Sequence, residues 1–220
     1  MPAHWTDTPI HVIDFEGSRR TGVVEYGAVT IFRGAVLSAK TRLCAPTGDI
    51  PEAETRIHGI TNADARKNAP FAAEQDLFMD LRSTGPLCAH NASFERHLLK
   101  AVWPYPRTSP DFLNPGASLA DWGPFVDTLR LYELVFPTLS EHGLGALLDA
   151  FGLKEQLDII ASDHCPPARR RFHCALYDAL GSAMLLTHLG RLPGYENLSL
   201  EWLLVHSQPA DDEAGQTEMF

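Results

Sequence analysis

Asp14 and Glu16 are two carboxylates separated by one residue, and they follow a short apolar run at residues 10–13. Because side chains on a β-strand alternate between its faces, both are predicted to project from one face, with Phe15 on the other. Two negative charges this close repel each other, which raises the pKa of each unless a cation lies between them. Oxygen ligands of this kind favour Mg²⁺ or Mn²⁺. The pattern is short and common, so the alternative is that Glu16 is a loop residue and Asp14 caps a turn.

Two further acidic residues occur in contexts that suit the same site. Glu95 is expected in the first turn of a helix that follows a strand ending at His90 and Asn91, where the helix dipole stabilises a carboxylate. Asp178 lies in a long predicted helix, five residues after His173. Five helical residues correspond to a rotation of roughly 140°. The two therefore share a site only if His173 lies in an irregular turn before the regular helix.

The elements that must position these residues begin with an antiparallel meander. Residues 23–33 and 36–43 are rich in β-branched and aromatic types, and Gly34 lies between them in a tight link. Three successive strands joined by short connections are best explained as a meander that starts with residues 10–17.

The rest of the chain alternates helices with short strands, which predicts a mixed sheet flanked by helices, an α/β fold. Thr61 is expected to cap a short helix, and Asp127 is expected to cap the helix that follows it. The predicted strands are 87–90 and 125–129. The predicted helices are 71–81, 93–102, 128–135 and 171–189, together with one that Ser140 caps and Gly152 closes. The segments predicted to be irregular are 103–121 and 158–170.

Length and composition predict one domain. The chain has 220 residues, 45% of them hydrophobic, which suits a single domain over residues 1–205 and an acidic, disordered tail over 206–220. No apolar run is long enough to cross a bilayer, and the N-terminus lacks the features of a secretory signal. The four scattered cysteines are expected to be reduced and partly buried, which favours a cytoplasmic protein.

A formal net charge of −10 disfavours broad, sequence-independent attraction to duplex nucleic acid. It does not exclude a nucleic-acid enzyme, because metal ions neutralise carboxylates and a small basic rim can hold a single strand. Arg19, Arg20 and the run 169–171 are candidates for such a rim. The alternative is that each run is simply a solvated surface.

Three motifs carry a family resemblance in their order along the chain. They are Ile-Asp-Phe-Glu at 13–16, His-Asn-Ala-Ser-Phe-Glu at 90–95, and His-Cys-Ala-Leu-Tyr-Asp at 173–178. With them the chain resembles the DEDDh 3′→5′ exonucleases, the family of polymerase proofreading exonucleases and ribonuclease T. The resemblance spans about residues 10–190, with further landmarks at 24–29, 57–61, 126–129 and 144–148.

The resemblance implies a ribonuclease H-like fold, a mixed five-stranded sheet with an antiparallel meander and then parallel strands, flanked by helices. It also implies a metal-dependent 3′→5′ exonuclease that releases nucleoside monophosphates. Two divalent ions, Mg²⁺ or Mn²⁺, would be bound by four carboxylates, with His173 as the general base. Those carboxylates are Asp14, Glu16, Glu95 and Asp178. The resemblance further implies that the substrate is the 3′ end of a single-stranded nucleic acid. The residues implied to hold its 3′-terminal nucleotide are Phe15, Gly17, Ser18, His58, Ile60 and Asn91.

One departure from the family pattern concerns Glu95, because the family has Asp at this position. The longer side chain keeps the charge and ligand type but shifts the geometry of a bound ion, and small misplacements lower rates strongly. Three interpretations stay open: an exonuclease acting on DNA or RNA, an exoribonuclease specific for RNA tails or short oligoribonucleotides, and a weakened nuclease that serves as a nucleic-acid binding module. Docking of a protein by the acidic tail is a further idea, and nothing in the sequence identifies a partner.

Overall fold

The computed structural model describes residues 4–208. Most of the predicted acidic tail, from residue 209 onward, lies outside the described residues. Within residues 4–208, no helix is both long enough and apolar enough to cross a membrane.

The first half of the sheet is the predicted antiparallel meander. Strand β1 (Ile10–Ser18) pairs with β2 (Gly22–Phe32), which pairs with β3 (Ala35–Leu43). The β2–β3 link is tight, with Arg33 and Gly34 both at positive φ, as hairpin turns of this kind require. The register places Asp14 opposite Gly27 and Glu16 opposite Glu25.

Four short strands follow, of which two complete the main sheet. They are β4 (Leu87–Ala89), β5 (Ser109–Pro110), β6 (Ser118–Leu119) and β7 (Phe125–Asp127). Strands β4 and β7 run parallel to β1, so the five-stranded sheet has the order β3-β2-β1-β4-β7. The mixed five-stranded sheet is therefore confirmed. Strands β5 and β6 form a separate pair inside the segment predicted to be irregular.

Helices cover both faces of the sheet. They are α1 (Glu52–His58), α2 (Asn62–Ala65), α3 (Gln75–Thr84), α4 (Ala92–Val102), α5 (Thr128–Val135), α6 (Leu144–Ala150), α7 (Lys154–His164), α8 (Ala175–Leu189) and α9 (Leu200–His206), with single 3₁₀ turns at Trp5–Asp7, Phe71–Glu74 and Pro167–Arg169. Thr61 caps α2 as predicted, since its side chain accepts a hydrogen bond from the Asp64 amide.

Two predictions about the segment between α5 and α8 were wrong. Most of the segment 158–170, predicted to be irregular, belongs to α7, because Leu157 and Ala161 bury one face of this helix in the core. The Ser140 cap is also wrong, because α6 begins at Leu144 with Gly143 at its N-cap.

Helix α8 packs against β1 and β2 on one face of the sheet, and Gly27 permits its close approach. A Cβ atom at Gly27 would overlap with the backbone carbonyl of Ala175, the first residue of α8. On the other face, Phe15 and Tyr26 pack with Phe71 and Phe78 in an aromatic cluster. The start of α8 therefore lies directly over β2, beside the end of β1.

Candidate active site

Asp14 and Glu16 belong to a continuous strand and project from the face that α8 covers. The ring of Phe15 points the other way and lies 5.1 Å from the Phe71 ring and 5.6 Å from the Phe78 ring, between centroids. The predicted alternation is confirmed. The alternative that Glu16 is a loop residue is wrong, because β1 extends through Ser18.

Asp127 holds the start of α4 in place. Its carboxylate accepts hydrogen bonds from the amides of Asn91 at 3.0 Å and Ala92 at 2.9 Å, and it also caps α5 through the Leu129 amide at 3.0 Å. Asn91 adopts a left-handed conformation with φ 70° between β4 and α4. The predicted cap is confirmed, and the same carboxylate fixes the helix turn that carries Glu95.

Glu95 is buried, with 3% of its surface exposed. Its Oε2 atom has no hydrogen-bond partner among the described residues. Burial raises the pKa of Glu95 well above its usual range, the charges of Asp127 and Glu16 raise it further, and the amides of Glu95 and Phe15 oppose the rise. A carboxylate oxygen of this kind needs a cation or a proton.

His173 lies in the irregular turn that its distance from Asp178 requires. It has a left-handed φ of 60° and precedes Cys174, the N-cap of α8. Its amide donates a hydrogen bond of 2.9 Å to Asp178 Oδ2, while Asp178 Oδ1 is buried without a partner among residues 4–208. Ligand atoms of Glu16, His173 and Asp178 all lie within 4.8 Å of one another.

The carboxylates in this cluster raise each other's pKa values. Burial, followed by the charges of Asp178 and Glu25, raises the pKa of Glu16 to about 8. Burial and the charge of Glu25 raise the pKa of Asp178 to about 7, against the His173 amide and Arg169. The pKa of Asp14 is raised well above its usual range by burial and by the charges of Asp178, Glu95 and Glu16. The predicted rise for Asp14 and Glu16 is confirmed.

These residues fit a divalent metal ion. The donor atoms are carboxylate oxygens and one imidazole, which suit Mg²⁺ or Mn²⁺. Two buried carboxylate oxygens, on Glu95 and Asp178, have no donor within the described part of the chain. Positive charge bound beside these oxygens would compensate for their missing donors and reduce the repulsion among the carboxylates.

Glu25 and Arg169 form an ion pair beside the cluster that the sequence motifs did not reveal. The Arg169 guanidinium donates two hydrogen bonds to the Glu25 carboxylate, one of them 2.9 Å from Nε to Oε1. It also donates to the carbonyl oxygen of His58 at 2.5 Å. The signal in the sequence was Glu25 itself, a charged residue within the otherwise apolar strand β2. A buried charge of this kind needs a partner.

The predicted basic rim is wrong for Arg169, because its guanidinium is paired with Glu25. For Arg170 and Arg171, which are exposed, it stays a prediction. Arg170 donates to the carbonyl oxygens of Cys165 and Ser162, and Arg171 donates to the carbonyl oxygen of His58 at 3.2 Å. Arg19 and Arg20 are exposed in the turn between β1 and β2.

The predicted substrate residues of the first hairpin serve its local structure. The Phe15 side chain is buried, so only its backbone can face a ligand. Gly17 has φ 132° at a bulge, where a Cβ atom would overlap with the carbonyl oxygen of Gly22, so the hairpin itself requires glycine. The Ser18 hydroxyl lies 3.0 Å from the Thr21 hydroxyl within the turn. Their contact with a substrate stays a prediction.

His58 is the last residue of α1, Ile60 lies two residues further on, and both are buried. The Ile60 amide donates a 3.0 Å hydrogen bond to His58 Nδ1, and no described residue is a partner of His58 Nε2. Ile60 packs with Val24, Ile50 and Ala65. Asn91, in contrast, is exposed, and its side-chain oxygen accepts a hydrogen bond from the Ser93 hydroxyl at 2.9 Å. These substrate roles also stay predictions.

No family model matches the chain, but it has sequence relatives and structural neighbours among known proteins. A bifunctional exonuclease/endonuclease protein of Mycobacterium tuberculosis is 32% identical over 118 residues, 46% of this chain and 18% of that protein. DNA polymerase III PolC-type of Halalkalibacterium halodurans is 29% identical over 170 residues, 74% of this chain and 10% of that protein. The chain thus spans less than a fifth of the length of these curated relatives.

Several solved structures that resemble this chain in fold are exonucleases. Exonuclease X, in complex with 5′-overhanging duplex DNA, has a TM-score of 0.65 at 22% identity, covering 90% of this chain and 99% of that one. A 3′-exonuclease, solved in work on recognition of a histone mRNA stem-loop, also has a TM-score of 0.65, at 14% identity over 89% of this chain and 67% of that one. In sequence and in fold, the chain is thus similar to members of the DEDDh-type 3′→5′ exonuclease family. Within this family pattern, Glu95 is the departure, and the structure buries it among the other carboxylates.

Proposed function

We propose that the protein is a metal-dependent 3′→5′ exonuclease that releases nucleoside monophosphates from the 3′ ends of nucleic acid. The observation that carries the proposal is the convergence of Glu16, His173 and Asp178, whose ligand atoms lie within 4.8 Å of one another. Two exonuclease neighbours support the same activity: one is in complex with DNA, and the other recognises an mRNA stem-loop.

Asp14, Glu16, Glu95 and Asp178 are the proposed ligands of two divalent ions, Mg²⁺ or Mn²⁺. Ions bound there would supply charge neutralisation and Lewis-acid stabilisation of phosphoryl transfer. Two buried carboxylate oxygens, on Glu95 and Asp178, have no donor among residues 4–208, which supports this assignment.

His173 is the proposed general base. It is exposed beside the carboxylates, and its backbone is held by the hydrogen bond from its amide to Asp178. Its imidazole would accept a proton from the water that attacks the terminal phosphodiester. The new bond joins the water oxygen to phosphorus, the bond from phosphorus to the 3′ oxygen breaks, and solvent supplies the proton to the leaving oxygen.

The 3′-terminal nucleotide, proposed to be single-stranded, would lie against the end of β1 and the segment after α1. Its proposed contacts are Phe15, Gly17, Ser18, His58, Ile60 and Asn91. Two of these roles are supported by His58 Nε2, which has no partner in the described part of the chain, and by the exposed side-chain amide of Asn91. A cytoplasmic location is proposed on the four free, buried thiols, which suit a reducing compartment.

Matched DNA and RNA oligonucleotides, labelled at the 3′ end and incubated with Mg²⁺ or Mn²⁺, test the proposal. Wild type is expected to release labelled monophosphate, and Asp14→Ala is expected to be inert. Faster release from RNA than from DNA would favour the exoribonuclease alternative. Equal inertness of wild type and Asp14→Ala on both substrates would refute nuclease activity.

The presence of glutamate at position 95 favours a second candidate, a weakened nuclease that binds nucleic acid without cleaving it. The two candidates differ in metal binding, because a ligand that binds only the folded state raises its melting temperature. A nuclease is expected to be stabilised by Mn²⁺ in wild type and much less in Asp14→Ala. Absence of any Mn²⁺ stabilisation in wild type would favour the binding module.

A further inference from the structure

Glu25 lies on β2, directly opposite Glu16 on β1. Cross-strand partners share a face of the sheet, and like charges in this position destabilise it. Glu25 is also buried, with 3% of its surface exposed. A second acidic residue here therefore carries a cost, and its contacts indicate what it does.

Arg169 neutralises Glu25 through a two-pronged ion pair. This arginine follows α7 in the 3₁₀ turn Pro167–Arg169, and its third contact is the carbonyl oxygen of His58 at 2.5 Å. The pair thus connects β2 to the segment before α8 and to the end of α1. A planar guanidinium suits this arrangement because it offers several donors in a fixed geometry.

Glu25 also binds the start of α8. Its Oε2 atom accepts a 2.9 Å hydrogen bond from the amide of Ala175, the first residue of the helix. The N-cap residue of α8, Cys174, makes no side-chain capping hydrogen bond. Glu25 therefore supplies, from the sheet, an acceptor for one of the first amides of the helix, and the helix dipole favours its charge.

His173 and Asp178 lie on either side of the bonded amide, two residues before it and three residues after it. We infer that Glu25 and Arg169 are a positioning pair, which anchors the start of α8 and so holds His173 and Asp178 against Glu16. This inference rests on the proposed function for its effect on catalysis. Its structural part, the anchoring of residues 172–178, does not depend on any reaction.

A second ion pair of the chain provides a matched control. Arg42 on β3 lies 2.7 Å from Glu74, and both side chains are partly buried, with 26% and 22% of their surface exposed. Glu74 also accepts a hydrogen bond from the Tyr26 hydroxyl at 3.0 Å, on the opposite face of β2. Glu74→Gln therefore removes a comparable Arg–Glu pair without touching α8.

The experiment compares Glu25→Gln, Arg169→Gln, Arg169→Lys and Glu74→Gln in the full chain. Hydrogen exchange of the amides of residues 172–178, without metal, is expected to accelerate about tenfold or more in Glu25→Gln and Arg169→Gln, and to be unchanged in Glu74→Gln. On an oligonucleotide, kcat is expected to fall by about 10–100-fold in the first two variants with KM changed less, because misplaced groups lower the rate of chemistry. Arg169→Lys, which keeps the charge, is expected to retain more activity than Arg169→Gln.

Exchange rates and kcat that match those of Glu74→Gln would overturn the inference. If Glu25→Gln does not fold, the comparison of Arg169→Lys with Arg169→Gln decides, and equal exchange and equal kcat in these two overturn it. If wild type has no nuclease activity, the proposed function fails, while the exchange comparison still supports or overturns the anchoring of α8.

Discussion

Replacing Glu16 by glutamine removes one ionisable group from the carboxylate cluster while keeping the size of the side chain. In the folded protein, the pKa of Glu16 is raised to about 8 from an ordinary value of 4.5. The folded state therefore holds a proton on this group between these two pH values, whereas the unfolded chain has released it. Stability consequently falls as the pH rises through this window, and Glu16→Gln lacks that part of the fall.

The size of the effect follows from the same two values. The rise in the pKa of Glu16 from 4.5 to about 8 corresponds to roughly 5 kcal/mol between the protonated and ionised states. Glutamine still carries the cost of a buried polar group, so we expect a net gain of about 2–4 kcal/mol at pH 9 and almost none at pH 4.5. For a domain of about 200 residues, this gain corresponds to a rise in melting temperature of roughly 4–16 °C.

Thermal unfolding with EDTA, from pH 4.5 to pH 9, measures the difference. A matched control is Glu133→Gln, which neutralises an exposed residue of α5 and reports the general effect of lowering the net negative charge. Adding Mn²⁺ at pH 8 should make wild type more stable than Glu16→Gln, because metal binding stabilises the folded wild type and not the variant. A stability difference that stays constant with pH, or one that Glu133→Gln reproduces, would contradict the repulsion described here.

Substitutions at three further positions test other parts of the site. Glu95→Asp keeps a carboxylate, so its affinity for Mn²⁺, measured by calorimetry, is expected to stay within about tenfold of wild type. Glu95→Ala should lose about 100-fold or more in Mn²⁺ affinity. Equal Mn²⁺ affinities in Glu95→Ala and wild type would remove Glu95 from the metal site. Gly27→Ala places a Cβ atom against the Ala175 carbonyl and should cost about 1–3 kcal/mol in urea unfolding, and a neutral result would mean that α8 can shift. His173→Gln should lower kcat about 10²–10⁴-fold on a labelled oligonucleotide with KM little changed, and wild-type kcat would exclude it as the base.

Residues whose roles depend on local geometry could be predicted from the sequence. The alternation along β1 gave the shared face of Asp14 and Glu16, and the five-residue separation showed that His173 must precede the regular part of α8. Both follow from the repeats of a strand and a helix, which do not depend on tertiary packing. The αL conformation of His173, with φ 60°, is the form that this irregular turn takes.

Features that depend on tertiary contacts could not be predicted in this way. Helix α7 lies in a stretch with weak helical signals, and its burial of Leu157 and Ala161 against other helices determines its structure. Arg169 appeared to be part of a surface run of three arginines, because nothing in its spacing points to a partner 144 residues away. Long-range ion pairs leave no periodic signal in one sequence.

Strand β2 shows how a segment without proposed ligands can shape the site. Glu25 and Gly27 alternate toward α8, directly opposite Glu16 and Asp14, while Tyr26 between them packs into the aromatic cluster on the other face. Gly27 lets the helix approach the sheet, and Glu25 binds its first amide. The same two positions thus set both the distance and the anchoring of α8. A substitution at either should therefore disturb Asp178 through the helix, even though neither side chain is a proposed metal ligand.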